Sequence, residues 1–135
     1  MSYDLIVYLK RDGFPSWQIW RSAICVAGFG VDLATEFDPL TFSGFLPCSI
    51  DGRSCGFEYY VSYLSPDDAY DLVGDGDVDV SVQFRVGSRS DELRTALAAS
   101  SNLAALSKGV LYDPQLGDSI AGARAVNWAR NLAYE

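Results

Sequence analysis

The chain has 135 residues, 49% of them hydrophobic and 13% aromatic, with 18 acidic against 10 basic side chains, no histidine and a formal net charge of −8. That much apolar and aromatic content is enough for one core and excludes a disordered chain, while the excess of acid repels phosphates and excludes a nucleic-acid binder. The lack of histidine removes the commonest general base, the usual catalytic triads and the common zinc ligand sets.

From the N-terminus, Tyr3 to Lys10 reads as a strand with Leu5, Val7 and Leu9 on one face and Ile6 and Tyr8 on the other, which predicts an interior position covered on both sides. Asp12-Gly13 breaks it. Pro15 suits the first turn of a helix, and Trp17, Trp20, Ile24 and Ala27 follow at helical spacing until Gly28 and Gly30 stop it. Val31 to Phe37 is expected to be a second strand, leading into an irregular aromatic stretch from Leu40 to Pro47. Asp51-Gly52 is a strong two-residue hairpin signal, so residues 50/53, 49/54 and 48/55 should face each other across two strands.

The outgoing strand, Gly56 to Leu64, places Phe57, Tyr59, Val61 and Tyr63 on one face and Glu58, Tyr60 and Ser62 on the other. Ser65 to Val78, rich in Ser, Pro, Gly and Asp, reads as an exposed acidic connection. Val78, Val80, Val82, Phe84 and Val86 then alternate with Asp79, Ser81, Gln83 and Arg85, one face for the core and one for water. Ser90 is expected to cap a helix with Asp91 and Glu92 in its first turn and an apolar stripe through Leu93, Leu97, Ser100 and Ala104, ended by Lys108-Gly109. Val110 to Tyr112 is a short strand, and a last helix should start near Asp118 or Ser119, with Ala121, Ala125, Trp128 and Leu132 on one face. The order predicts an α+β fold: a mainly antiparallel sheet of four to five strands packed with about three helices, in a single domain over residues 1–135.

No apolar stretch approaches the ~20 residues of a membrane-spanning helix. The opening residues have no basic lead before their apolar run and no small-residue cleavage site after it, so a cytoplasmic chain with no signal peptide and no membrane contact is expected. Cys25, Cys48 and Cys55 form no zinc pattern, and Cys48 and Cys55 should be neighbouring thiols across the hairpin, reduced in that compartment.

Asp75, Asp77 and Asp79 match the first three ligands of a calcium loop, but Val80 and Val86 stand where its glycine and its bidentate glutamate belong. Starting at Asp71 recovers Gly76 and fails at Val73 and Val82. No metal and no cofactor are expected. Phosphate-loop, dinucleotide and hydrolase motifs are absent. Glu58, among Phe57, Tyr59 and Tyr60, is the one carboxylate that could serve a small enzyme, and it has no nucleophile or oxyanion hole near it in sequence. Recognition of a protein surface remains, since an acidic chain attracts basic partners and aromatic side chains ringed by charge make anchors.

Met1 to Leu5, Gly44 to Pro47, Asp51-Gly52 and Gly56 to Glu58 carry a resemblance to small bacterial proteins that open Met-Ser-Tyr-Asp-Leu and carry a Gly-Phe-Leu-Pro, Asp-Gly, Gly-Phe-Glu series. The chain looks like the cytoplasmic immunity partners of polymorphic or secreted bacterial toxins. The resemblance implies inhibition by occlusion, an acidic surface docking over a toxin's basic cleft, and its expected contacts here are Asp67, Asp68, Asp71, Asp75 and Asp77 for attraction with Tyr70 as an anchor. A small-molecule sensor with an aromatic pocket between sheet and helices, or an enzyme using Glu58, is the alternative.

Overall fold

The computed structural model describes residues 2–87 and 89–133; Met1, first residue of the opening motif above, lies outside them. Within these residues the chain forms one antiparallel sheet of strands β1 (Tyr3–Leu9), β2 (Val31–Leu33), β3 (Gly44–Ile50), β4 (Arg53–Tyr63), β5 (Val80–Val86), β6 (Val110–Asp113) and β7 (Asp118–Ala121). Helices α1 (Trp17–Ala27), α2 (Pro66–Val73), α3 (Ser90–Ser107) and α4 (Gly122–Ala133) pack with it. The class is α+β, as the pattern predicts. The expected four to five strands and three helices fall short, because short strands extend both edges of the sheet and a segment read as loop is helical.

The strand order is β2-β3-β4-β5-β1-β6-β7, so β1 is interior as its two apolar faces require. Leu5, Val7 and Leu9 stand opposite Phe84, Val82 and Val80, and Val7 also faces Leu111. These side chains form the core face, closed by α1, α3 and α4. Helix α3 lies between α1 and α4 and is buried continuously from Thr95 to Ala104. Its apolar surface is therefore not the stripe the spacing implies. Small side chains let the neighbouring helices approach, and the buried polar ones bond their own helix: Thr95 Oγ1 donates to the Glu92 carbonyl at 2.7 Å and Asn102 Nδ2 to that of Ala98 at 2.7 Å.

The central hairpin matches its expected register, with Ile50 opposite Arg53, Ser49 opposite Ser54 and Cys48 opposite Cys55. Asp51 (φ 51°) and Gly52 (φ 80°) both take positive φ, the geometry of the turn that suits twisted strands. Five expectations at element ends are corrected. Ser16 accepts the Ile19 amide and caps α1, leaving Pro15 outside. Strand β2 stops at Leu33 rather than Phe37, since Glu36 takes φ 60°.

Strand β3 starts at Gly44, inside the stretch read as irregular. Pro47 is tolerated there because its missing N–H would point to the side of β2, which has already ended opposite Cys48. Finally, α3 is preceded by Arg89 at its cap, with Ser90 already helical and making no side-chain cap.

At the C-terminal end the helix expected from Asp118 or Ser119 starts instead at Gly122. Asp113 is fully buried, and its carboxylate accepts the Gln115 and Leu116 amides, closing a turn that pairs Asp118–Ala121 back onto β6. Gly122 is needed because a Cβ there would run into the Ala104 carbonyl, where α4 starts against the end of α3.

Candidate functional site

Among the described residues, α2 is the one helix that packs on the second face of the sheet. The acidic connection of the sequence reading is in part this helix, and its loop-like residues are its start and stop signals. Ser65 accepts the Asp68 amide at 3.2 Å as N-cap, Pro66 takes the first helical position, Asp67 and Asp68 sit at the positive end of the dipole, and Gly74 (φ 72°) ends the helix. Ala69 is fully buried against Tyr8 and Val78, with Ile6, Leu64, Val73 and Tyr112 packed around them. This second small cluster anchors α2 to the sheet.

Helical periodicity with Ala69 and Val73 inward turns Asp67 and Asp71 to solvent and puts Tyr70 and Leu72 on opposite flanks. Tyr70 is 66% and Leu72 57% exposed. Beyond the helix, the Asp75 carboxylate accepts the Asp77 amide at 2.9 Å in a tight turn. Of the residues singled out in the sequence, Asp67, Asp68, Tyr70 and Asp71 thus share one helix, while Asp75 and Asp77 share the following turn. Asp79 departs from them: its carboxylate accepts the Arg11 amide at 2.7 Å and its own amide donates to Leu9, tying the start of β5 to the end of β1.

None of Asp67, Asp68, Asp71, Asp75 and Asp77 forms an ion pair with a described residue. Elsewhere Asp4 pairs with Arg85, Asp32 with Arg21, Asp51 with Arg94, Asp91 with Arg53 and Glu92 with Arg89. Five of the ten basic side chains are thus engaged away from α2, while Arg124, Lys10 and Lys108 line the clefts beside it without an ion pair to these five carboxylates.

A cleft of about 580 Å³ opens on the Leu72 flank of α2. Asp71, Leu72 and Val73 form one wall, Tyr8, Val110 and Tyr112 the floor, and Ser119 and Ala121 of β7 with Arg124 of α4 the other wall. A second cleft of about 390 Å³ shares Tyr8, Val73 and Val110 with it and runs towards Lys10, Asp12, Asp75 and Lys108. Tyr8 and Tyr112 lie together on the cleft side of the sheet, and the Tyr8 phenol is held above its ordinary range, first by burial and then by neighbouring Tyr112. Sequence reading missed this cleft, because its walls come from four separated segments and only the second apolar face of β1 hinted at a cover.

Glu58 lies on the same sheet face but apart from the cleft. It is exposed, accepts the Tyr60 hydroxyl at 2.8 Å and stands opposite Arg85, which itself pairs with Asp4 at 2.8 Å. The Tyr60 phenol is raised, first by its bond to Glu58. No serine, threonine or cysteine is hydrogen-bonded to Glu58 among the described residues. Nor do three acidic or cysteine side chains converge there as metal ligands, again among the described residues. Cys48 and Cys55 are both free thiols. No helix among the described residues is long and apolar enough to cross a membrane. Compared with protein families, with curated proteins and with solved structures, the chain matches none.

Proposed function

We propose that this chain is an immunity-type protein of the cytoplasm that binds a basic bacterial toxin through α2 and the turn after it, and neutralises the toxin by covering its active site. The observation that carries this reading is the set of five carboxylates, Asp67, Asp68, Asp71, Asp75 and Asp77, that have no cationic partner among the described residues. They surround two exposed apolar side chains, Tyr70 and Leu72. Charge of one sign on such a surface steers a basic partner and speeds encounter, and the aromatic and aliphatic groups supply contact area once charge has brought the surfaces together. The helix carries Asp67, Asp68 and Asp71 together with Tyr70 and Leu72 on one preformed element, which lowers the ordering entropy of binding.

The test uses the product of the reading frame next to this gene as partner. Growth arrest caused by that product should be relieved by co-expression of the wild-type chain. Changing all five aspartates to asparagine should slow association about tenfold or more at low salt and flatten its salt dependence. Unchanged affinity and salt dependence would remove α2 from the interface.

A further inference from the structure

Two thiols meet on the core face of the central hairpin. Cys48 of β3 stands directly opposite Cys55 of β4, the third residue pair from the turn. Cys48 belongs to the main core and Cys55 packs against the same cluster, so both side chains leave the sheet on one face. In a two-residue hairpin the pair beside the turn exchanges backbone hydrogen bonds, and bonding alternates along the strands, so the third pair does so too. Such a pair has Cα atoms about 5.5 Å apart, within the roughly 4.4–6.8 Å of disulfides. Its Cβ atoms lie at about 5.5 Å, against the roughly 3.5–4.5 Å that a disulfide takes. A bridge can therefore close, but it draws the strands together and stores strain, and strained disulfides are the easily reduced ones.

The two thiols differ in access. Cys55 is half-buried and lines a cleft of about 330 Å³ with Phe45, Arg53 and Glu92, whereas Cys48 is 6% exposed. Cys55 can meet a reagent from solution, and Cys48 can meet Cys55. We infer that Cys48 and Cys55 form a reversible redox pair, closed into a cross-strand disulfide by a small disulfide such as oxidised glutathione. The Cys55 thiolate attacks one sulfur of the oxidant, forming a mixed disulfide and releasing one glutathione thiol. Cys48 then gives up its proton and attacks the Cys55 sulfur, expelling the second glutathione. The pair loses two electrons and two protons, and the oxidant becomes two thiols. Burial, then Cys55 beside it, holds Cys48 as a thiol, while a bond from the Ala34 amide favours its thiolate, so the second step is the slow one. In a reducing compartment the open pair is the resting state.

This site shares no residue with the acidic surface, so it and the toxin reading fail separately. The test uses the full chain carrying Cys25→Ser, which leaves these two cysteines alone. Trypsin cuts after Arg53 and places them on separate peptides, 22–53 and 54–85, joined only by a disulfide. After millimolar oxidised glutathione, alkylation in denaturant and digestion, most chains should yield the linked peptides while remaining monomeric. Excess reduced glutathione should then lower the linked fraction at least about tenfold. Adding Cys48→Ser should stop the reaction at a mixed disulfide on Cys55. Adding Cys55→Ser should give neither adduct nor bridge, with the circular dichroism spectrum of the parent. The inference is overturned by thiols that stay free, by a glutathione adduct on Cys55 that never converts to linked peptides, or by linkage only between two chains. An adduct on Cys48 in the Cys55→Ser chain, or a bridge that withstands excess reduced glutathione, overturns it as well.

Discussion

Cys48 lies directly across the hairpin from Cys55, and burial, followed by the neighbouring thiol, pushes it from 9.0 up to about 12. The thiolate is the reactive form, and burial keeps Cys48 in the unreactive thiol form near neutral pH in the folded chain. Exposed Cys25 and half-buried Cys55 should therefore be alkylated first, and Cys48 should react only on unfolding, which mass spectrometry of a timed alkylation would read. The raised value also fixes a pH dependence. The unfolded thiol ionises near its ordinary value while the folded one does not, so stability is fully present below about pH 9 and is lost as pH rises towards about 12. Tyr3, Tyr8 and Tyr59 are raised as well, each first by burial, and push the same way from about pH 10. The urea midpoint should fall steadily above pH 9; a flat profile to pH 11 would contradict the burial of these groups.

Helix α2 is the least supported element, held to the sheet through Ala69 and Val73, whereas α3 is buried on every side. Removing its cap with Ser65→Ala should cost about 1 kcal/mol. If α2 opens locally, its amides should then exchange with deuterium about fivefold faster while those of α3 do not change. The same helix shows where the sequence was legible. The central hairpin was legible because Asp51-Gly52 dictates its own backbone, and the place of β1 because both its faces are apolar. Helix α2 was not, since Ser, Pro, Asp and Gly mark a loop by composition and a helix by position, and only the order Ser65-Pro66-Asp67-Asp68 with Gly74 tells the two apart. Asp118-Ser119 made the opposite error: it imitates a helix cap, but the turn built on buried Asp113 commits it to a strand. The cleft of Tyr8, Tyr112 and Arg124 escaped because no local spacing records which segments the sheet order brings together.

At the scale of the molecule, the core is organised about Trp20. Its ring lies 6.0–6.3 Å, centroid to centroid, from those of Phe14, Phe37, Tyr59 and Phe84, and its indole N–H donates to the Ala99 carbonyl at 2.9 Å, linking α1, the sheet and α3. Trp20→Ala should remove about 3–5 kcal/mol, a large share of the 5–15 kcal/mol typical of a whole domain, and Trp20→Phe less. Denaturant unfolding followed by circular dichroism measures both. The position of β1 sets when any of this can form. It is the first strand made, yet its two neighbours are β5 and β6, so its ladder waits for residues 80–86 and 110–113. On the ribosome, this interior strand must stay unpaired until most of the chain has emerged, exposing its apolar faces to aggregation or to chaperones for that interval.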